Sequence, residues 1–119
     1  MNNTKNGLIT HPDGSKEWYL NGKYHRVDGP AVEHPDGSKE WWLNGEPHRT
    51  DGPAIEHPDG SKEWYLNGKL HREDGPAVEY PNGYKAWYLS GQSYDKISYY
   101  NLMVKKGYMT KTQAFVEMI

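Results

Sequence analysis

Residues 34–56, HPDGSKEWWLNGEPHRTDGPAIE, decide the fold, because the same stretch occurs three times in succession. Residues 11–33 and 57–79 repeat it, and 18 of the 23 positions are identical in all three copies. A fourth, eroded copy, YPNGYKAWYLSGQSYD, follows at residues 80–95. A regular internal repeat of this length is typical of arrays in which each unit packs against its neighbours along the chain.

Each unit combines strand-forming residues with turn signals. Residues 16–20 (KEWYL) are rich in rings and favour a strand. Asn21-Gly22 predicts a two-residue type I′ hairpin turn, since that turn requires positive φ at both positions. Pro12-Asp13-Gly14 and Asp28-Gly29-Pro30 predict further turns on either side. Because no helical apolar period occurs within these units, we predict a mainly β fold, an elongated antiparallel β-meander of tandem 23-residue repeats.

The hairpin turn also predicts which residues face each other across it. The pairs expected from counting outward are Leu20 with Lys23, Tyr19 with Tyr24, Trp18 with His25, and Glu17 with Arg26. We therefore expect an ion pair between Glu17 and Arg26, and stacking of His25 on Trp18. Side-chain alternation places Trp18 and Arg26 on opposite faces of the sheet.

A helical pattern follows the repeats. Ile97, Tyr100 and Val104 lie at helical spacing, and Gly107 suits the position just after a helix end. Thr110 with Gln113 forms a capping-box pattern that predicts a second helix. The expected organisation is one domain, with a β-repeat region at 1–95 (cap strand 6–10, repeats 11–33, 34–56 and 57–79, eroded repeat 80–95) and a short C-terminal α-helical cap at 96–119.

The composition narrows the classes of function. The 119 residues carry a net charge of −2 and contain no cysteine. This argues against a generic basic nucleic-acid-binding protein and excludes disulfides and thiolate metal sites. No apolar run reaches the roughly 18 residues of a membrane span, and the first residues lack the apolar core of a signal peptide. We therefore expect a cytoplasmic protein with no membrane partner, in the host cytoplasm if the chain is viral.

Aromatic residues take the place of a scarce aliphatic core. Only 34% of the residues are hydrophobic, yet there are ten tyrosines and five tryptophans. One tryptophan of each unit is expected to be structural, and these four are Trp18, Trp41, Trp64 and Trp87. Rings are expected on both faces of the sheet, more than two short helices can cover, and an uncovered apolar patch favours association. We therefore expect a homodimer.

Two recurrent sets of side chains resemble metal or catalytic sites and are interpreted as structural. Equivalent histidines of successive units are separated by two or three strands, roughly 10–14 Å, whereas every ligand of a zinc ion lies within about 2.1 Å of it. Ser15, His25 and Asp28 recur in each unit, which argues against a single nucleophile site in a closed pocket. We expect no enzyme activity, no metal and no cofactor.

The positions that differ between the near-identical units are candidates for recognition, because a repeat protein can vary the face that it presents to a partner. Drift at unconstrained sites explains the same differences equally well. Val27, Thr50 and Glu73 also vary. The candidate partner-binding residues are Tyr19, Trp42, Tyr65, Tyr24, Pro47, Leu70, Lys23, Glu46 and Lys69.

An alternative interpretation uses the invariant basic residues. Rows of arginine, histidine and tryptophan would hold an anionic small nucleotide between them. The candidate ligand-binding residues of this alternative are Arg26, Arg49, Arg72, His25, His48 and His71. Nucleic acid is the less favoured partner, because acidic residues are predicted beside these arginines.

The string W-Y-L-N-G-K-x-H-R-x-D-G-P-A resembles the variant MORN repeats found in bacteriophage and large-virus proteins, and the resemblance covers residues 6–95. It implies a β-hairpin array that serves as a protein-interaction or self-assembly scaffold without catalytic residues. We therefore expect a phage-encoded accessory protein that binds a host factor, such as a bacterial defence protein, which it inhibits or triggers.

Overall fold

The computed structural model describes residues 4–119, which form 14 β-strands and two α-helices. The strands are β1 (Gly7–Thr10), β2 (Lys16–Leu20), β3 (Lys23–Tyr24), β4 (Val32–Glu33), β5 (Lys39–Glu40), β6 (Trp42–Leu43), β7 (Glu46–Pro47), β8 (Ile55–Glu56), β9 (Lys62–Glu63), β10 (Tyr65–Leu66), β11 (Lys69–Leu70), β12 (Val78–Glu79), β13 (Lys85–Leu89) and β14 (Gln92–Tyr94). The helices are α1 (Lys96–Lys105) and α2 (Lys111–Met118). With extents of 56 × 29 × 20 Å, the protein confirms the prediction of an elongated, mainly β fold.

Antiparallel pairing joins strands from all the units into one sheet, in the order β1-β2-β4-β5-β8-β9-β12-β13-β14. Strand β3 pairs with β2, and the β6–β7 and β10–β11 hairpins form separate two-stranded ribbons. One row of facing residues, with alternating charge, is Lys16, Glu33, Lys39, Glu56, Lys62, Glu79 and Lys85. The adjacent row, on the other face, is Ile9, Glu17, Val32, Glu40, Ile55, Glu63, Val78 and Ala86. Opposite charges on facing strands stabilise the pairing.

The Asn-Gly turns have the predicted left-handed geometry. Asn21 and Gly22 have φ values of 52° and 78°, and the hairpin pairs Tyr19 with Tyr24 as counted from the sequence. In the eroded unit Ser90 occupies the asparagine position at φ 49°. Since asparagine adopts this conformation more readily than other residues with a Cβ atom, the turn explains why the units carry asparagine there.

Neighbouring hairpins are joined by hydrogen bonds that recur from unit to unit. The Gly45 N–H donates to the Tyr24 carbonyl at 2.9 Å, and the Asn44 N–H donates to His25 Nδ1 at 2.9 Å. At the later junctions the equivalent bonds to carbonyl groups join Gly68 to Pro47 (3.0 Å) and Gly91 to Leu70 (2.8 Å). The equivalent bonds to histidine Nδ1 join Asn67 to His48 and Ser90 to His71, both at 2.9 Å. The second histidine of each unit therefore connects it to the next, and the stacking of His25 on Trp18 stays a prediction.

An arginine covers the tryptophan of each complete unit. The Arg26 guanidinium carbon lies 3.9 Å from the Trp18 ring centroid, and the Arg49–Trp41 and Arg72–Trp64 distances are 3.7 and 3.8 Å. We call this side of the hairpins the tryptophan face: Trp18, Trp41 and Trp64 with Arg26, Arg49 and Arg72. A guanidinium over an indole is attracted by the ring quadrupole and shields the ring from water.

The prediction that Arg26 pairs with Glu17 is wrong, as are its equivalents in the next two units. The His25 N–H still donates to the Trp18 carbonyl at 2.9 Å, but the Arg26 N–H donates to the Trp42 carbonyl of the following unit at 3.1 Å. The chain therefore leaves its own hairpin after His25, and the arginine reaches the same face as Trp18 instead of the opposite one.

The helices pack against the last unit and supply the largest buried side chains of the described residues, namely Tyr99, Tyr100 and Met103. Asp95 caps α1 by accepting the Ser98 N–H at 2.8 Å. The predicted capping box of α2 is confirmed, since Thr110 and Gln113 each accept the other's backbone N–H. Leu89 and Ala114 complete this core, which closes the end of the sheet.

The predicted inner face of α1 is only partly correct. Tyr100 is buried, but Ile97 is 54% exposed, and Tyr99 and Met103 occupy the core in its place. The Tyr99 hydroxyl donates to the Arg72 carbonyl and accepts the Gly75 N–H at 3.2 Å. These bonds to the preceding unit turn the helix so that Tyr99 faces inward. Within residues 4–119, none of the helices has the length and apolar character needed to cross a membrane.

Candidate partner-binding face

Six of the varied residues meet on the side of the hairpins opposite Trp18, Trp41 and Trp64. Tyr19 faces Tyr24, Trp42 faces Pro47, and Tyr65 faces Leu70. The rings continue across the junction, with centroid distances of 5.1 Å for Tyr19–Tyr24 and 5.4 Å for Tyr24–Trp42. We call this surface the tyrosine face: Tyr19, Tyr24, Trp42, Pro47, Tyr65, Leu70 and Tyr88, with Glu17, Glu40 and Glu63 beneath them.

In the first unit Glu17 organises the rings. Its carboxylate accepts the hydroxyl protons of Tyr19 and Tyr24, both at 2.9 Å, and lies 2.6 Å from His11 Nε2. The His11 contact and the two phenol hydrogen bonds lower the pKa of Glu17 against the opposing effect of burial. Burial and the Glu17 carboxylate together raise the pKa of Tyr24. This half-buried cluster therefore fixes the positions of two varied rings.

In the second unit Glu40 has fewer partners. It accepts the Trp42 Nε1–H at 3.0 Å and pairs with His34 Nε2 at 3.0 Å. Pro47 occupies the position of Tyr24 and brings no hydroxyl group. The second hairpin therefore carries one ring on this face where the first carries two, and Glu40 keeps a histidine partner.

In the third unit Glu63 has a different environment. It accepts the Tyr65 hydroxyl at 2.9 Å, and burial together with this carboxylate raises the pKa of Tyr65 to about 12. Leu70 has replaced Tyr24, and His57 Nδ1 contacts Ser38 Oγ at 3.0 Å. Among residues 4–119, no ion pair joins Glu63 to a basic side chain.

The predicted residues at the hairpin tips follow one edge of the sheet. The Lys23 side chain lies over Gly45, that of Glu46 over Gly68, and that of Lys69 over Gly91. All three are exposed, and their charges alternate along the edge. They border the tyrosine face without lying among its rings.

Two open grooves lie on this side of the molecule. The larger, about 1040 Å³, is at the N-terminal end and is lined by Lys5, Tyr19, Lys23, Tyr24 and Glu46, among others. The second, of about 440 Å³, lies at the other end. Its lining residues are Glu63, Leu70, Val78, Tyr80, Asn82, Tyr84, Ala86 and Tyr88.

Tyr80 and Tyr84 line this second groove and are not among the site residues predicted from the sequence. They stand where the complete units carry histidine and serine, and Ala86 stands where those units carry glutamate. The two rings are stacked, with centroids 5.5 Å apart, and the Glu63 charge is the main cause that raises the pKa of Tyr80. The substitutions in the eroded copy were the available signal, since they replace polar groups by rings and a methyl group.

All of the alternative ligand residues except His25 line two grooves on the tryptophan face, of about 520 and 660 Å³. Arg49 Nε pairs with Asp51 at 2.9 Å, its Nη1 lies 3.3 Å from Glu56, and Arg26 and Arg72 have equivalent pairs. Each guanidinium is thus bound to acids of its own unit and to a tryptophan ring. His25, His48 and His71 accept backbone N–H groups through Nδ1.

The Ser-His-Asp trio of each unit is not brought together. His25 contacts Asn44, and Asp28 pairs with Arg26 at 3.0 Å. Ser15 lies in the turn, where its N–H donates to Asp13 at 2.8 Å. Within the described residues, no group of three or more histidine, aspartate or glutamate side chains is placed to hold a metal ion.

Comparison of the chain with protein-family models, with curated proteins and with solved structures finds no match. The resemblance to variant MORN repeats, and the bacteriophage origin that it implies, stay predictions.

Proposed function

We propose that this protein is a non-enzymatic interaction module that binds a partner protein through the tyrosine face. The observation that carries the proposal is the row formed by two of the varied positions, in the facing pairs Tyr19–Tyr24, Trp42–Pro47 and Tyr65–Leu70. Ring contacts of 5.1 and 5.4 Å link the first two hairpins within this row. Aromatic side chains that are already held in place contribute much to binding, because little rotamer entropy is lost when a partner covers them.

The contrast between the two faces supports this assignment. On the tryptophan face the tryptophans and arginines are the same in every complete unit, and the arginines are occupied by Asp28, Asp51 and Asp74. The varied position there, Val27, Thr50 and Glu73, lines the grooves and carries no ring. On the tyrosine face Tyr24, Pro47 and Leu70 differ at one equivalent position. Constant residues therefore bond the units together, and the varied residues give the surface its particular shape.

The alternative, a protein that sequesters an anionic nucleotide, is less well supported by the geometry. A base would need the indole faces, but guanidinium carbons lie 3.7–3.9 Å from those ring centroids. A phosphate would need arginines that are already paired with carboxylates. Binding would require breaking these contacts in each unit that took part.

Affinity capture with matched variants tests the proposal. Tagged wild-type protein is used as bait in a bacterial lysate, beside Trp42→Ala and Tyr65→Ala. We expect the amount of the specifically bound partner to fall about tenfold or more with either variant, because rings at the centre of an interface contribute most of its binding free energy. Circular dichroism verifies that each variant is folded.

Lys39→Ala is the control on the opposite face, since Lys39 precedes Glu40 in β5 and is exposed. This variant should retain the partner at the wild-type level. Retention of the partner by both ring variants, or its loss from Lys39→Ala alone, would contradict the assignment of the tyrosine face.

We also propose that the protein forms a homodimer through the tyrosine face. Arginine covers the tryptophans of the complete units and Tyr100 contacts Trp87, so the tryptophan row is not an open apolar patch. Light scattering at micromolar concentration measures the mass. A value of twice 13.7 kDa that returns to 13.7 kDa in Trp42→Ala supports this mode, and a wild-type mass of 13.7 kDa that persists on concentration rejects it.

A further inference from the structure

We propose that the groove at the C-terminal end of the tyrosine face binds an arginine side chain of the partner. We call it the tyrosine groove and define it by Glu63, Leu70, Tyr80, Tyr84, Ala86 and Tyr88. The inference rests on the proposed function, and it specifies which side chain of the partner is recognised at this end of the surface.

The unpaired carboxylate is the first observation. Glu17 and Glu40 occupy the position of Glu63 in the earlier units, and each has a histidine within 3.0 Å. Glu63 accepts the Tyr65 hydroxyl, but no basic side chain of residues 4–119 forms an ion pair with it. A half-buried carboxylate without an ion-pair partner favours a cation beside it.

The rings around this carboxylate are the second observation. Tyr80 and Tyr84 form one stacked wall, with centroids 5.5 Å apart and planes 21° apart, and Tyr88 also lines the groove. Ala86 replaces the glutamate of the complete units, which opens space beside Leu70 and leaves the surface apolar. Aromatic faces close to a carboxylate favour a cation through both the ring quadrupole and the full charge.

Arginine fits this combination better than other cations. Its planar guanidinium stacks on aromatic rings, its methylene stem packs on apolar groups, and its N–H groups donate charge-assisted hydrogen bonds to a carboxylate. Groove volume agrees with this assignment, since about 440 Å³ is sufficient for one long side chain. The first units, in which a histidine already contacts the glutamate, lack this combination.

NMR titration of the isolated full chain tests the groove directly. The probe is N-acetyl-arginine methylamide, and its match is the citrulline derivative, which has almost the same shape without the charge. We expect the arginine probe to shift the methyl signals of Leu70, Val78 and Ala86 saturably, with about tenfold higher affinity than the citrulline probe. Equal affinities for the two probes, or stronger binding of the equivalent lysine probe, would overturn the assignment to arginine.

Two matched variants identify the carboxylate. Glu63→Gln keeps an acceptor for the Tyr65 hydroxyl and should weaken binding of the arginine probe about tenfold. Glu56→Gln makes the same change on the opposite face of the sheet, where Glu56 faces Lys39 and Lys62, and should leave binding unchanged. An unchanged affinity in Glu63→Gln refutes the site. The titration contains no partner protein, so its failure refutes only the arginine site. Failure of the capture experiment refutes the proposed function and does not affect binding of the probe.

Discussion

The complete units and the C-terminal end continue one sheet but are stabilised in different ways. In residues 11–79 the fully buried apolar side chains are small, such as Ala31, Val32 and Ala54, and the large rings are only half-buried. In residues 80–119 Tyr99, Tyr100 and Met103 are almost completely buried. Recurrent polar and cation–π contacts therefore replace a hydrophobic core along the array, whereas an ordinary apolar cluster closes its end.

One pair of tryptophans shows the change from one mode to the other. Trp64 is covered by Arg72, with the guanidinium carbon 3.8 Å from the ring centroid. Trp87 has Asp95 at the position of the arginine, and it packs edge-on to Tyr100 with centroids 6.2 Å apart. Helix α1 therefore supplies the cover that the last unit lacks.

The largest effect is expected in the C-terminal core. Met103→Ala removes a side chain with no exposed surface and leaves a cavity between the two helices and β13. The free energy of unfolding should fall by about 3 kcal/mol, measured by urea denaturation. Val32→Ala, which removes a smaller buried side chain from the first unit, should lower the free energy of unfolding by less. A loss below about 1 kcal/mol in Met103→Ala would remove the distinction between the two regions.

A smaller effect is expected from the covered tryptophans. Trp41→Ala should lower the free energy of unfolding by about 2 kcal/mol, because the ring is half-buried and Arg49 loses its contact. A double-mutant cycle with Arg49→Ala should give a coupling energy of about 1 kcal/mol. Additive effects of the two substitutions would show that the guanidinium only lies near the ring without stabilising it.

Exchange of the turn residues between the regions should give a still smaller effect. Asn44→Ser should destabilise and Ser90→Asn should stabilise the protein, each by about 0.5 kcal/mol, because both positions have φ near 50°. Thermal unfolding of both variants measures the difference. Shifts of the same sign in the two variants would contradict the explanation by turn conformation.

The smallest effect concerns the loss of folding stability at acid pH. The Ser15, Ser38 and Ser61 N–H groups lower the pKa values of Asp13, Asp36 and Asp59, which are exposed. A carboxyl group whose pKa is lower in the folded state stabilises the protein above its unfolded pKa, about 3.9, and this stabilisation is lost as the pH falls through the folded pKa.

The eroded unit already carries the neutral equivalent, since Asn82 accepts the Tyr84 N–H at 2.9 Å. The triple variant with asparagine at the three aspartates should therefore keep its turns and lose less stability between neutral pH and about pH 3. Denaturant midpoints across this range measure the slope. If the denaturant midpoint falls with pH as steeply as in the wild type, other carboxyl groups determine the loss of stability.

Local turn chemistry made much of this fold predictable. Asn21-Gly22 gave the hairpin and its register, because a type I′ turn restricts the pairing on both sides. The same counting failed at Arg26, because the backbone there pairs with the next unit. The long Arg26 side chain then reaches back to cover the Trp18 ring. Contacts between units depend on how units stack, and no spacing within one unit encodes that geometry.

The candidate site was predictable in part. Differences between copies identified Tyr24, Pro47 and Leu70, which the structure places in one row with the varied rings. They did not identify Tyr80, because an eroded copy differs at many positions and only the folded chain brings this ring close to Glu63. The inner face of α1 was misassigned at Ile97 for a related reason, since bonds from Tyr99 to another unit set the helix rotation.

The recurrent junction bonds have a consequence for changes in chain length. Two hydrogen bonds form at each junction between hairpins. One turn N–H donates to a backbone carbonyl, as Gly45 does to Tyr24, and the other donates to a histidine Nδ1, as Asn44 does to His25. Insertion or loss of one whole unit brings together the same donors and acceptors, whereas any other change in length misaligns them. An array of this design can therefore lengthen or shorten by 23 residues at a time, and its reach can evolve separately from its chemistry.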